Sequence, residues 1–146
     1  MLHHINFETI YPIWKNKLWP NRVSDITGTS AMKYLGGYDN KNMEYIPIFL
    51  AYFLNNQIVG VNSGHQCMDN GYRSRGLYVF PEYRGQGIGI ELLKATIKIG
   101  KELGCDYVWS YPKDSSWSTY NKAGFNLSSD WEKSENGTNA YCVYQV

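Results

Sequence analysis

The sequence predicts a mixed α/β domain whose N-terminal portion is an antiparallel sheet. Two turn signals, Asn55-Asn56 and Asp69-Asn70-Gly71, separate apolar runs and indicate three consecutive antiparallel strands. A strand, an amphipathic helix and another strand follow in that order, which implies a right-handed crossover. The 146 residues, 43% of them apolar, suit one compact core. We therefore expect a single domain over residues 1–146.

The first third of the chain is the least regular. Residues 2–8 predict an edge strand, and Thr9 offers the N-cap of an amphipathic helix that ends before Pro20. Residues 24–44 are rich in Gly, Asn, Ser and Thr, so we expect a short helix and a long loop there. Long loops in compact domains are more often functional than idle.

The remaining elements have clearer periodicity. An apolar run interrupted only by Pro47 reads as a strand buried on both faces. The predicted elements are strands over residues 46–54, 57–68, 72–80, 105–111 and 141–146, a helix over 87–103, and a short helix capped by Ser115 or Ser116 that ends at Ala123.

Charge and hydropathy exclude two classes of partner. Fourteen Lys and Arg against thirteen Asp and Glu leave a net charge of +1, too small for general attraction to nucleic acid. No apolar run approaches the roughly 20 residues that cross a bilayer, and the first residues show no signal-peptide pattern. We expect a cytoplasmic protein, mature as written, that binds neither nucleic acid nor membrane.

The cysteines are odd in number, far apart and set among apolar neighbours. Cys67, Cys105 and Cys142 fit neither a disulfide framework nor a zinc site. We expect them to be reduced packing residues, and we expect no metal.

The most informative stretch is a strand, a glycine-rich turn and the start of a helix. Gly85, Gly87 and Gly89 have no side chains to keep a ligand away from main-chain N–H groups, and the first N–H groups of the helix are free as well. Arg84 adds a charged donor and Gln86 a neutral one. This pattern indicates a pyrophosphate site.

Two other phosphate-binding motifs do not fit. A Walker loop needs Lys-Ser or Lys-Thr after its last glycine, where this chain has Ile90-Glu91. The dinucleotide fingerprint has a longer glycine spacing and an acidic residue about 20 residues further on, at the end of a second parallel strand. This chain has neither feature.

Two motifs together point to one family. Residues 84–89, Arg-Gly-Gln-Gly-Ile-Gly, match the pattern Arg/Gln-x-x-Gly-x-Gly/Ala, and residues 120–125, Tyr-Asn-Lys-Ala-Gly-Phe, match Tyr-x-Lys-x-Gly-Phe. With both motifs, the sequence resembles the GNAT superfamily of acyl-CoA-dependent N-acetyltransferases over residues 46–125. The rest of the chain matches only in general layout.

The resemblance implies a fold and a binding site. The fold is a mixed, mostly antiparallel sheet of six or seven strands flanked by helices, with a V-shaped opening between the fourth and fifth strands. Acetyl-CoA would bind in the opening, with its pantetheine arm on the backbone of Leu77, Tyr78 and Val79. Its diphosphate would lie on Arg84, Gly85, Gln86, Gly87, Ile88 and Gly89. Lys122 either reaches a CoA phosphate or is a solvated surface residue.

The implied reaction is direct acetyl transfer to a primary amine of a small molecule or peptide. Tyr120 matches the family's general acid, and a phenol remains protonated at neutral pH. Many members have a glutamate base where this chain has residues 72–76, Tyr-Arg-Ser-Arg-Gly. We take His65 as the candidate base; Asp69, Asp39, a water chain or an acceptor amine of low pKa are the alternatives.

Some features have two interpretations. The aromatic residues of the first third either line an acceptor site or belong to the core: Trp14, Trp19, Tyr34, Tyr38 and Tyr45. Arg73 and Arg75 share one face of a strand, where they either attract an acidic acceptor or face water, and we expect water.

Two other functions stay open. The missing carboxylate also fits a CoA- or acyl-CoA-binding module without transfer activity, and the acceptor could be an amine of an intact protein. Dimers are common in the family, so a homodimer is one option.

Overall fold

The computed structural model describes residues 1–30, 32–36, 45–135 and 137–146. Among them, one mixed sheet has seven strands in the order β1-β2-β3-β4-β5-β9-β6, and only the β4–β5 pair is parallel. β7 and β8 form a separate hairpin. The strands are β1 (Leu2–Ile5), β2 (Ile48–Leu54), β3 (Gln57–Gln66), β4 (Gly71–Val79), β5 (Tyr107–Ser110), β6 (Asn126–Leu127), β7 (Glu132–Ser134), β8 (Gly137–Asn139) and β9 (Cys142–Gln145). The predicted mixed sheet is confirmed.

Within the described part of the chain, three α-helices flank the sheet: α1 (Phe7–Ile13), α2 (Ile88–Glu102) and α3 (Trp117–Lys122). The longest, α2, buries Leu92 and Leu93 completely against the sheet. Its approach to β4 needs Gly100, because a Cβ there would lie 3.0 Å from Tyr72 Cβ. Helix α2 begins directly after the glycine loop, so its packing holds the loop at the end of β4.

The fourth and fifth strands part along their length. They pair only through Gly71–Arg73 and Tyr107–Trp109. Farther along β4, two residues, Gly76 and Leu77, lie opposite the single residue Asn62 of β3. This arrangement is a β-bulge. The predicted opening between the fourth and fifth strands is therefore present, and the bulge adds a bend to the strand that forms one of its walls.

The bulge is tied to the N-terminal segment. Gly76 has φ of +79°, and its carbonyl accepts a hydrogen bond from Trp14 Nε1 at 2.8 Å. A Cβ on Gly76 would lie 2.3 Å from the same nitrogen, so only glycine fits. This contact brings the first third of the chain to the opening.

Both predicted turns are confirmed. Asn55 and Asn56 have φ of +51° and +63°, and Asp69 and Asn70 have +66° and +58°. Asn and Asp adopt this left-handed conformation more readily than other residues with side chains. These turns make β2, β3 and β4 consecutive antiparallel neighbours.

The predicted start of the first helix is wrong. The N-cap is Asn6, whose Oδ1 accepts from Thr9 N at 2.9 Å, so Thr9 is inside the helix. The strand before it accordingly ends at Ile5. The segment then changes to a π-helical turn, Trp14–Leu18, two residues after Pro12, which cannot donate a helical hydrogen bond.

The predicted serine cap of the second short helix is confirmed in position but not in its hydrogen bond. Ser116 occupies the N-cap position with φ of −101° and ψ of −6°, and its side chain makes no capping hydrogen bond. A 3₁₀ turn over Asp114–Ser116 leads into α3. Within this turn, Ser116 N donates to Lys113 O at 3.0 Å.

Two smaller predictions concern burial. Cys67, Cys105 and Cys142 are all buried, as expected of packing residues. β2 is buried through Phe49, Leu50 and Ala51 but only half-buried beyond them, so it is not covered on both faces along its whole length.

Of the helices described, none is long and apolar enough to cross a membrane.

Candidate active site

The opening between β4 and β5 contains a cleft of about 510 Å³. Its walls come from the end of β4, the glycine loop, the start of α2, the segment before α3, and the π-helical turn. The lining residues are Lys17, Leu18, Leu77, Tyr78, Val79, Tyr83, Arg84, Gly85, Gly87, Ile88, Gly89, Ile90, Lys113, Ser115, Ser116, Thr119 and Lys122.

The glycine loop presents a run of unpaired donors. The N–H groups of residues 85–90 donate no hydrogen bond to any described residue. Gly85 and Gly87 have φ of +79° and +82°, and a Cβ on either would meet nothing within 4 Å. The loop therefore offers N–H groups and open space at the N-terminus of a 15-residue helix, where the helix dipole favours an anion.

Gly89 lines the cleft and also has a packing role that the sequence does not suggest. A Cβ there would lie 2.9 Å from Thr119 Cγ2. Gly89 is thus needed mainly for the close approach of α2 to α3. Only two of the three glycines provide the open space for a ligand.

The cleft is cationic although the chain is almost neutral. Lys17, Arg84, Lys113 and Lys122 line it, and none of its described lining residues is an Asp or Glu. Lys113 Nζ donates to Leu18 O at 2.9 Å, which joins the segment before α3 to the π-helical turn. Such a concentration of positive charge attracts an anionic ligand.

The structure places the other predicted binding residues as follows. Gln86 is exposed and does not line the cleft. Arg84 folds back on β4, where its Nε donates to Val79 O at 2.7 Å and its guanidinium lies 5.3 Å from the Tyr78 ring centroid. Arg84 is therefore at the mouth of the cleft.

The main chain of β4 alternates between β3 and the cleft. Phe80 N donates to Val59 O at 2.9 Å, and Gly60 is the partner of Val79 in the ladder. Since main-chain groups alternate sides along an antiparallel strand, the N–H and C=O of Val79 point away from β3, whereas those of Tyr78 point toward it. Of these two residues, Val79 has the main-chain groups directed at the opening.

The comparison with protein families agrees with this geometry. The model of the acetyltransferase (GNAT) family matches residues 14–125, which is more than half of the chain. The chain belongs to the GNAT family.

Solved GNAT structures share the fold. A putative N-acetyltransferase from Lactobacillus plantarum superimposes with a TM-score of 0.71 at 13% identity, covering 99% of this chain and 97% of that one. A GNAT acetyltransferase from Staphylococcus aureus Mu50 gives 0.69 at 21% identity, covering 99% and 98%. The PaiA N-acetyltransferase from Thermoplasma acidophilum, solved in complex with coenzyme A, gives 0.56 at 25% identity, covering 68% and 61%. No curated protein matches the sequence.

A second, smaller pocket adjoins the GNAT cleft. Its volume is about 60 Å³, and it shares Leu18, Leu77, Lys113 and Ser116 with the cleft. Its other lining residues are Trp19, Arg73, Arg75, Gly76, Ser110, Tyr111, Pro112, Tyr120 and Asn139.

Tyr120 lies in this second pocket, not in the cleft lining. Its side chain is 2% exposed, and its hydroxyl is 3.3 Å from Ser110 Oγ, which donates to Ser74 O at 2.7 Å. Burial is the main cause that raises the pKa of Tyr120, to about 12. Tyr120 therefore holds its proton at neutral pH, and it lines the pocket that adjoins the cleft.

His65 is not brought to either space. Its side chain is fully buried, Ser30 N donates to Nε2 at 3.3 Å, and Nδ1 lies 3.1 Å from Gln66 O. With Nε2 accepting, the ring proton is on Nδ1 and donates to that carbonyl. Burial, followed by the charge of Arg73, lowers the pKa of His65 to about 3. These contacts favour a neutral packing residue over the predicted base.

His65 should make stability depend on pH. Its pKa is about 3 when folded and 6.5 at its ordinary value, so the unfolded state binds the extra proton between these limits. The free energy of unfolding is then expected to fall as pH falls through this window, by up to about 1.4 kcal/mol per pH unit. Urea denaturation across the window, beside an NMR titration of the ring, tests this. A ring that titrates near its ordinary pKa would contradict it.

Of the other two residues that are candidates for the base, the structure describes only Asp69. Asp69 is exposed in the turn before β4, at the opposite end of that strand from Val79. Asp39 lies outside the described residues. None of the described residues lining either pocket is a carboxylate or an imidazole.

The aromatic residues of the first third divide between the two interpretations. Trp14 is fully buried in the core, Trp19 lines the second pocket, and Tyr34 packs on Trp109 with ring centroids 5.8 Å apart. Tyr45 is half-buried and lines neither pocket, and Tyr38 lies outside the described residues.

The expectation that Arg73 and Arg75 face water is wrong. They are 8% and 3% exposed and line the second pocket. The reason is that Trp14 and Trp19 of the N-terminal segment cover Arg75, while Trp109 of β5 covers Arg73. Alternation along the strand alone does not reveal this cover. Sequence reasoning also missed Lys17, which no motif marks and which reaches the cleft from the π-helical turn.

Proposed function

We propose that this GNAT chain is an acetyl-CoA-dependent N-acetyltransferase that acetylates a primary amine of a small molecule or peptide. The observation that carries the proposal is the run of unpaired N–H groups over residues 85–90 beside a cationic cleft. A diphosphate needs many donors and positive charge, and both are present. The coenzyme A bound by the PaiA N-acetyltransferase, a member of the same fold, supports the proposal.

Each wall of the cleft then has a task. The glycine loop binds the diphosphate, and Lys17, Lys113 and Lys122 supply charge around it. The main-chain N–H of Val79 orients the acyl arm along β4 and favours negative charge on an acyl oxygen. When bound, acetyl-CoA supplies an acetyl group activated as a thioester.

Tyr120 is the proposed general acid. Its phenol is protonated at neutral pH and adjoins the boundary between the pockets, where a thiolate would leave and an amine would enter. The second pocket is the proposed acceptor site. Holding both reactants at one boundary accounts for most of the acceleration in a reaction of this kind.

The lack of a base that could take the proton of the amine bears on both this proposal and its alternative. Because no described lining residue is a carboxylate or an imidazole, the amine either enters neutral or loses its proton to water. The same observation favours the second candidate function, a coenzyme A-binding module without transfer activity. An acetyltransferase acting on intact proteins is a third outcome of the experiment below.

Release of free thiol from acetyl-CoA in the presence of an amine panel tests the proposed function. We expect amine-dependent release for at least one small amine or peptide, with one acetyl group added to the amine by mass spectrometry. Binding of coenzyme A without acceptor-dependent release would favour the binding module instead. Acetylation of intact proteins alone would identify a protein acetyltransferase.

A further inference from the structure

The second pocket contains two buried arginines whose charge is not balanced inside the described structure. Arg73 and Arg75 lie two residues apart on β4 and point to the same side. Neither forms an ion pair with a described carboxylate, and the charges that act on Arg75 most are those of Arg73 and Arg22. Burial lowers the pKa of Arg73 to about 10 and that of Arg75 well below its usual range.

Aromatic rings cover the faces of the two guanidinium groups. Arg73 Cζ lies 4.8 Å from the Trp109 ring centroid, and Arg75 Cζ lies 4.9 Å from that of Trp14 and 5.3 Å from that of Trp19. Stacking of this kind holds a guanidinium in place and leaves its edge available, because the N–H donors lie in the plane of the group.

The edges of these groups have few partners. Nε and Nη1 of Arg73 are buried and donate to no described residue, while Nη1 of Arg75 donates to Thr27 O at 2.7 Å. A buried charge without a partner is costly, and unpaired donors add to that cost. An arrangement of this kind is expected at a site where a ligand supplies the missing negative charge.

The location of the arginines suggests which ligand. The pocket that they line adjoins the cleft through Leu77 and Ser116, and Tyr120 is on its wall. An acceptor anchored here by one end would have its other end at the boundary with the cleft. Lys113 lines both spaces, and no described lining residue of the second pocket is an Asp or Glu.

We propose that Arg73 and Arg75 bind an oxyanion of the acceptor, so that the substrate is a small amine that also carries a carboxylate or phosphate group. This inference rests on the proposed function and names its substrate class. The guanidinium edge pairs well with either oxyanion, in two parallel hydrogen bonds.

Matched acceptors test the proposal. Initial rates are compared for glycine and glycinamide, β-alanine and β-alaninamide, and phosphoethanolamine and ethanolamine. We expect kcat/KM to be at least about tenfold higher for the anionic member, either in the two carboxylate pairs or in the phosphate pair. One charge-assisted hydrogen bond accounts for a factor of that size. The carboxylates have the more basic amines, so amine ionisation does not explain this direction. Equal or better use of the neutral members would overturn the proposal.

Variants separate recognition from folding. Arg75→Gln and Arg73→Gln should lower kcat/KM for the anionic member more than for the neutral one, so that the ratio between the two falls by at least about tenfold. Lys98→Gln, an exposed charge on α2, is the matched control and should keep the preference. The melting temperature of Arg73→Gln should not fall, because the charge that it removes is buried and has no ion-pair partner. Arg75→Gln also loses the hydrogen bond to Thr27 O and should be slightly less stable. Equal loss with both members would indicate a structural role and overturn the proposal.

A binding measurement keeps this test independent of turnover. N-acetylglycine and N-acetylglycinamide, which have no reactive amine, are titrated against the chain with coenzyme A while tryptophan fluorescence is followed. Only the acid should change the emission, and the change should be lost in Arg75→Gln. If no amine is acetylated but the acid still binds, the proposed function fails and the anion site stands. If neither binds selectively, the anion site fails.

Discussion

Gly87→Val is expected to weaken the binding of coenzyme A by at least about 100-fold, because one side chain would block several charge-assisted hydrogen bonds to the diphosphate. The space that a Cβ would enter is open in the structure and faces the cleft. The valine would therefore stand where the ligand must approach the N–H groups of residues 85–90. Isothermal titration calorimetry with coenzyme A measures the loss.

Gly104→Val is the matched control. Gly104 has φ of +81°, close to the +82° of Gly87, and a Cβ there also meets nothing within 4 Å, but it ends α2 far from the cleft. Both variants carry a similar backbone strain, of about 1–2 kcal/mol. Similar melting temperatures with a loss of affinity only in Gly87→Val would support the loop as the diphosphate site. Equal affinity in the two variants would place the diphosphate elsewhere.

Tyr120→Phe is expected to lower kcat by about 100-fold or more, the usual contribution of a general acid. Coenzyme A affinity should stay within about threefold, since Tyr120 lines the second pocket and not the cleft. Burial raises the pKa of Tyr120 to about 12, so the rate of the unchanged enzyme should show no descending limb from this group up to about pH 10. Steady-state rates across this range, with calorimetry, check both statements.

Tyr107→Phe is the control for the loss of a phenol. Tyr107 begins β5 at the end where the strands pair, and it lines neither pocket. It should leave kcat within about twofold. An unchanged kcat in Tyr120→Phe would remove the acid role. A fall in kcat accompanied by a lower melting temperature would point to the lost contact with Ser110 instead.

Local chemistry made several features predictable. The turns at Asn55-Asn56 and Asp69-Asn70 require a left-handed backbone, and the residues there adopt it readily. Gly85 and Gly87 of the glycine loop also have a left-handed backbone, which glycine adopts without strain. Helix α2 follows from its own periodicity, and its observed bounds differ from the predicted range by one residue at each end. Such features depend on residues close together in the chain.

Features of the N-terminal third were less predictable. Asn6 and Thr9 are both good caps, and the choice between them depended on which side chain reaches a free N–H group. Trp14 is the first residue of the π-helical turn, and its hydrogen bond to Gly76 joins residues that are 62 positions apart. No local pattern contains that information.

The sequence by itself determined the family motifs, the succession of β2, β3 and β4 through two tight turns, and the place of the glycine loop between β4 and α2, because these depend on backbone conformations that particular residues favour. Only the tertiary structure decided that Arg73 and Arg75 are buried without an ion-pair partner among the described residues, that His65 is held neutral, and that Lys17 reaches the cleft. Each of these depends on which distant segment covers a given face of β3 or β4. Burial and the pairing of charge are set by contacts across the fold, and those contacts form only when the chain is packed.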